Sequence, residues 1–265
     1  MTLSYITPTR WLPSRREWLL CGEQSLLAQT LNDIEWIIVS DSPSPDWLKG
    51  VVPTRMVFDE SLLSVARKMN AGIRVATGDY IAFMDDDNLK LPPFGEQMVQ
   101  FVATNGLDGA YCFAGTINQC GETIGDHKVS AATYEAGWRG GFWFNEELLV
   151  KRSLIESIGG FDEALEAGED YDLAFALMKH GTLDVYPTAL VKIRQNHGDN
   201  ASADSYFTGG RTQFALHRIL EKNGRLNPNC PGCGVWLVEK PFSETTVKWP
   251  TGSPSWVRIC GGCPA

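Results

Sequence analysis

The first ninety residues alternate between short apolar runs of strand character and longer stretches with helical spacing, and two of the runs stop abruptly at aspartate. Leu3 to Thr7 is β-rich and ends at Pro8; Arg15 to Thr30 carries Trp18, Leu19, Leu26 and Leu27 at helical spacing; Ile34 to Ser40 is almost continuously apolar and stops at Asp41. Arg55 to Phe58 repeats the strand signal, Ser61 is placed to cap a helix reaching about Thr77, and Tyr80 to Met84 runs straight into Asp85-Asp86-Asp87-Asn88. Runs that are apolar on both faces need cover on both sides, which a mainly parallel sheet flanked by helices provides. The expected fold class is therefore α/β. In open sheets of this kind ligands gather beyond the carboxyl ends of the strands, where Asp41 and the aspartate triplet both fall.

Further along, Pro92 to Thr104 reads as a helix and Gly109 to Phe113 as a strand. Ala114 to Gly141 is polar, glycine-rich and without period, the pattern of a long binding loop or lid. A strand around Phe142 to Phe144, a helix from Arg152 to Ile158, the turn Gly159-Gly160-Phe161-Asp162, and helices from about Asp170 to His180 and Tyr206 to Asn223 complete the unit. Beyond Asn227 the composition changes: six of the fourteen prolines and four of the seven cysteines crowd into the last forty or so residues. We place a boundary there, giving a main domain over 1–225 and an appendage over 226–265.

With 43% hydrophobic and 21% charged residues the chain has the means to bury a core and is neither disordered nor fibrous. Twenty-three basic against thirty-two acidic side chains leave −9, the wrong sign for a surface coated for nucleic acid. No apolar stretch approaches eighteen residues and no basic, then apolar leader opens the chain, so neither a membrane span nor export is signalled, and the expected location is cytoplasmic.

Three consecutive aspartates repel one another and raise each other's pKa, a cost that a hard divalent cation relieves. Mg²⁺ or Mn²⁺ takes oxygen ligands, commonly one or two carboxylates plus water and phosphate oxygens. If the backbone stays extended, Asp85 and Asp87 point the same way and share the ion; the alternative is a solvated acidic turn. A second acidic group, Glu169-Asp170-Tyr171-Asp172, opens the later helix, where dipole complementation is the ordinary explanation.

Taken together, Asn32 to Asp41, Lys68-Met69-Asn70-Ala71-Gly72, Gly78 to Asp87, and Gly159-Gly160-Phe161-Asp162 with Glu169-Asp170 resemble, in order and spacing, the family 2 glycosyltransferases of the GT-A fold over residues 3 to 200. The resemblance implies a Rossmann-like mixed, mainly parallel sheet and inverting transfer of a sugar from a nucleotide-sugar donor, with uridine the favoured nucleoside, to a hydroxyl acceptor. It implies that Asp85 and Asp87 hold Mn²⁺ or Mg²⁺ against the donor diphosphate, with Asp86 contributing or, in an offset alignment, pairing with Asp87. Asp41 matches the aspartate that contacts the base; Thr7, Pro8, Thr9 and Arg10 match the segment lining the nucleotide pocket, and Lys68 and Asn70 fall where donor contacts are often made. Asp170 matches the general base, with Glu169 beside it. His197 lies where a histidine completes the metal site in some relatives, against a loop or acceptor-contact role. Trp143 borders the acceptor side, to stack on a sugar or to serve the core. His127, His180 and His217 have no comparable context and are assigned surface or packing roles.

Cys230-x₂-Cys233 and Cys260-x₂-Cys263, twenty-six residues apart, have the form of a four-thiolate zinc ribbon, with redox disulfides or an iron–sulfur cluster as the alternatives. The ribbon would be structural. Its charge of +1 gives little support to nucleic-acid binding. Cys21 and Cys112 are expected in the core. Two further readings are a transferase acting on modified bases in DNA, with the ribbon as its docking element, and a noncatalytic nucleotide-sugar-binding scaffold. The intact acidic sets argue against the scaffold, which needs no general base.

Overall fold

In the computed structural model, which describes residues 1–48, 54–129, 131–133, 145–165, 168–195, 218–219 and 221–224, the alternating runs pair into one curled sheet. β1 (Leu3–Thr9) lies between β2 (Ile34–Ser40) and β4 (Tyr80–Phe83), all parallel, and β3 (Thr54–Phe58) forms the edge beside β2. Past β4 the sheet continues through β8 (Leu148–Lys151), β6 (Gly109–Ile117), β9 (Leu183–Arg194) and the two-residue β5 (Leu89–Lys90). β8 is antiparallel to both β4 and β6, β6 and β9 are parallel, and β7 (Thr123–His127) hairpins back onto β6.

The helices are α1 (Arg16–Leu27), α2 (Val65–Val75), α3 (Phe94–Thr104), α4 (Arg152–Ser157) and α5 (Glu169–His180). They explain why the strands are apolar throughout. Along β1, Leu3 and Tyr5 enter one core with Leu19 and Leu26 of α1 and Met98 and Val102 of α3, while Ile6 enters the other with Met69 and Ile73 of α2 and Leu173 and Phe175 of α5. Two-residue alternation is present but both faces are covered, so no polar face shows in the sequence. α2 sits so close to β1 that a Cβ at Gly72 would fall 2.4 Å from Ile6 Cγ2.

Several expectations are corrected. The helix near residue 61 starts later, capped by Ser64, whose hydroxyl accepts from the Arg67 N–H; Ser61 instead closes a turn on Asp59. The region expected as one long loop after Ala114 contains the rest of β6 and all of β7. β8, built on the apolar run Leu148-Leu149-Val150, and β9 are not among the expected strands. Cys112 is buried as expected, but Cys21 is exposed on α1. Trp143, His197, Cys230, Cys233, Cys260, Cys263, the 226–265 appendage and most of the expected helix over 206–223 lie outside the described residues. Among the described residues no helix is long and apolar enough to cross a membrane.

Candidate functional site

β1, β2 and β4 run parallel, so their carboxyl ends reach the same edge of the sheet. There the first site residues meet. Thr9 at the end of β1 donates its hydroxyl to Asp86 Oδ2 at 2.7 Å. Lys68, buried on α2, donates to the Thr9 carbonyl and to Asp41 Oδ2, both at 2.9 Å, which ties the ends of β1 and β2 to one ammonium. Burial lowers the Lys68 pKa, and Asp41 works against that fall. Arg10 is exposed beside them and Pro8 is buried. Thr7 faces the α1 side of the sheet, where its hydroxyl oxygen accepts from the Trp36 indole at 2.9 Å.

The triplet does not continue β4. The Asn88 N–H donates to the Asp85 carbonyl, so residues 85–88 close a turn, and the alternation that would aim Asp85 and Asp87 the same way is lost. The carboxylates divide instead. Asp86 turns inward to Thr9 and to Arg15, whose Nη1 lies 2.5 Å from Asp86 Oδ1 and 3.3 Å from Asp87 Oδ2. Burial works against the Arg15 charge, yet Asp86 and Asp87 raise its pKa above the ordinary value. Burial raises Asp86, with Arg15 opposing. Behind the turn, Arg194 donates from its backbone N–H to Asn88 Oδ1 and from its guanidinium to the carbonyls of Asp87, Asn118 and Gln119.

Asp85 turns the other way, toward Glu146. The β4–β8 register pairs Ala82 with Leu149, and continued three places it sets Asp85 opposite Glu146. Because β8 is antiparallel to β4, its starting end arrives at the edge where β4 finishes, carrying the turn Asn145–Glu147 with it. Enclosure raises Asp85 well above the ordinary carboxylate range, and the charge of Glu146 and a carboxyl–carboxyl hydrogen bond with it add to the rise. Glu169 and Asp170 at the start of α5 complete the group. Burial raises both, Glu146 adds to each, and Asp170, with Glu169 beside it, reaches about 8. One acidic group thus assembles from β4, the turn before β8, and α5.

Beneath it lies a buried cation. Lys90 on β5 donates to the Glu146 carbonyl and sits 4.1 Å from the centre of the Phe94 ring. Burial lowers its pKa to about 8 despite the nearby Glu146, Glu147 and Asp85. Glu147, fully buried, lies 2.7 Å from Nδ1 of His127, so that histidine is tied to the floor of the site. Glu146, Lys90 and Arg15 were not singled out by the sequence. The available signal was two consecutive acids ahead of the apolar run Leu148-Leu149-Val150, which buries them.

Asn70 is engaged away from the triplet. Its Nδ2 donates to the Phe161 carbonyl at 2.9 Å and to Glu163 at 3.0 Å, and its Oδ1 accepts from the Phe161 N–H at 2.8 Å. It clamps the Gly159-Gly160-Phe161-Asp162 turn. Gly160 there has φ +73°, and a Cβ would fall 2.4 Å from Asn70 Oδ1, so only glycine fits. Against the cost of burial, hydrogen bonds from Arg218, the Ala164 N–H and Lys222 hold Asp162 down to about 2. Lys222 also bridges to Asp172 at 2.6 Å, so Asp172 anchors the chain rather than joining the acidic group.

For a divalent ion, the donor set is oxygen-only and suits Mg²⁺ or Mn²⁺. Among the described residues, however, no group of three or more histidine, cysteine, aspartate or glutamate side chains is arranged as a ready-made cage. Asp85 and Asp87 would supply two ligands at most, leaving the other positions to water and a bound phosphate.

Comparison with known proteins agrees with this architecture. The chain is 27% identical to the uncharacterized glycosyltransferase YwdF of Bacillus subtilis over 256 aligned positions, covering 89% of this chain and 91% of that one. It is 23% identical to the uncharacterized glycosyltransferase MJ1057 of Methanocaldococcus jannaschii, covering 67% of this chain and 66% of the relative. In structure it matches residues 1–349 of S. aureus TarS in complex with UDP-GlcNAc at a TM-score of 0.69 and 14% identity, covering 84% of this chain and 66% of that one. The chain thus spans just under two thirds of the archaeal relative and of that TarS chain. The family model for glycosyl transferase family 2 matches residues 18–161, more than half of the 265, and the chain belongs to that family.

Proposed function

We propose that the chain transfers a sugar from a uridine-diphosphate sugar to a hydroxyl acceptor with inversion at the anomeric carbon. The observation that carries the proposal is the division of labour at the sheet edge: aspartates bound to cations at the ends of β2 and β4, and a separate carboxyl at the start of α5 with a pKa near 8. A sugar hydroxyl becomes a competent nucleophile when a positioned carboxylate accepts its proton, and a raised pKa near working pH suits that task. Asp170 takes the proton as the acceptor oxygen bonds to the anomeric carbon. The bond from that carbon to the diphosphate breaks, its electron pair leaving with the nucleotide. Burial, with the like charges of Glu169 and Glu146 adding to it, sets the basicity of Asp170. Lys68 with Asp41, and Thr9, line the nucleotide side.

Asp85 and Asp87, which the turn aims apart, would share the Mg²⁺ or Mn²⁺ only after that turn rearranges around the donor; the ion's contribution when bound is to neutralise charge on the leaving diphosphate. The uridine assignment draws support from TarS, which shares the fold and has been solved in complex with UDP-GlcNAc and with UDP. Direct tests are transfer or slow donor hydrolysis from a panel of UDP-sugars with Mn²⁺, in wild type and Asp170→Asn. Loss of turnover in Asp170→Asn with donor binding kept within about threefold supports the reading. Retained turnover in Asp170→Asn refutes the base assignment, and no turnover or binding with any donor in wild type refutes the function.

A further inference from the structure

We propose that Arg15 is a resident cation of the aspartate triplet that makes divalent-ion binding depend on the donor: with the donor absent its guanidinium occupies the Asp86–Asp87 side, and the ion binds firmly only together with a nucleoside diphosphate. The inference rests on the transferase reading and assigns Arg15 a role in it. Three observations carry it. Arg15 Nη1 lies 2.5 Å from Asp86 and 3.3 Å from Asp87, bridging two carboxylates as a metal ion would. Asp86 is then held from both sides, by Arg15 and by Thr9, and both aspartates are about 95% buried, so neither is open to a hydrated ion from solvent. Lastly, no third protein ligand is arranged for an ion among the described residues, so the coordination sphere needs oxygens from elsewhere.

The electrostatics give the direction of the effect. A divalent ion entering beside Asp87 meets the positive charge of Arg15 within a few ångströms in an enclosed site, where repulsion is weakly screened. A diphosphate brings the negative charge that both cations can share. Charge-assisted contact with phosphate is a task guanidinium performs well, so the Arg15 side chain is suited to turn from Asp87 to the donor. Linkage then requires the nucleotide to tighten the ion by the same factor as the ion tightens the nucleotide. Arg15 is a positioning residue in this scheme, setting the order of assembly rather than touching the reacting carbon.

Titration of the full chain with Mn²⁺, followed by the electron paramagnetic resonance of free Mn²⁺, with and without UDP, reads this directly and needs no turnover. In wild type, UDP should tighten Mn²⁺ by about tenfold or more. Arg15→Gln should bind Mn²⁺ about tenfold tighter than wild type without UDP and lose most of the enhancement, while Arg15→Lys, which keeps the charge, should restore it. Equal Mn²⁺ affinity with and without UDP in wild type overturns the proposal even if Arg15→Gln fails to fold. An unchanged or weaker Mn²⁺ affinity in folded Arg15→Gln overturns it as well and leaves the transferase reading intact. Failure of wild type to bind either UDP or Mn²⁺ overturns both.

Discussion

The sharpest structural prediction concerns Asn70, because the resemblance expects a donor contact where the structure shows a clamp. Its side-chain amide makes reciprocal hydrogen bonds with the Phe161 peptide at 2.8 and 2.9 Å, and both residues are buried. Asn70→Ala leaves the Phe161 N–H and C=O without those partners. Each buried, unpaired group costs about 1–3 kcal/mol, so the loss should be about 2–6 kcal/mol. Asn70→Asp keeps the volume and an acceptor for the N–H but sets a carboxylate against the Phe161 carbonyl and Glu163, and it should be no milder. Urea unfolding at pH 7, followed by tryptophan fluorescence, reads the loss as a lower midpoint with an unchanged slope. The KM for donor, measured well below the transition, should move by less than about threefold. A stability loss below about 0.5 kcal/mol together with a tenfold or greater rise in KM would refute the clamp and restore the donor contact.

Two further predictions concern the buried charges. The folded pKa of Asp170, about 8, lies above its unfolded value, so the folded state binds a proton that the unfolded chain releases. Stability of the cation-free, nucleotide-free protein should therefore fall as pH rises from about 4 to about 8 and level off above; Asp170→Asn should flatten part of that slope, and a melting temperature climbing steadily from pH 5 to 8 would contradict it. Lys90→Met keeps most of the volume but removes the ammonium that faces the Glu146 carbonyl and the nearby carboxylates. It should cost about 3 kcal/mol in urea unfolding at pH 7; a cost below about 1 kcal/mol would show that Lys90 acts by packing alone.

The first half of the fold was legible because it is built from local signals. Apolar runs at Leu3, Ile34 and Tyr80 bury both faces, and the helices between them are bounded within a few residues of α1, α2 and α3. What failed were elements whose signal lies in their partners. β7, Thr123-Ile124-Gly125-Asp126-His127, is almost wholly exposed and is a strand only because β6 offers it a ladder. β9 is exposed along its middle, where Pro187 interrupts the run, and is held by its long pairing with β6. At the site, the acidic residues were visible as residue types at strand and helix ends, but their directions were not. The strand pleat that would aim Asp85 with Asp87 gives way to a turn, and one hydrogen bond from Asn88 decides which carboxylate faces which cation.

The arrangement of charge also explains why the acidity of this site is tolerable. Carboxylates that could repel their neighbours are matched from other elements: Asp41 by Lys68 of α2, Asp86 and Asp87 by Arg15 ahead of α1, and Glu147 by His127 of β7. The exception is the group formed by Asp85, Glu146, Glu169 and Asp170. There like charges face one another, and burial pushes Asp85, Glu169 and Asp170 upward. Pairing the neighbouring acids while leaving Asp85, Glu169 and Asp170 raised is costly for stability and useful for chemistry, because a carboxyl that binds a proton near neutral pH can also take one from a hydroxyl. An antiparallel strand in the middle of a parallel sheet makes this possible. Had β8 run parallel to β4, its starting end would lie at the opposite edge, and Glu146 would be a strand length away from Asp85.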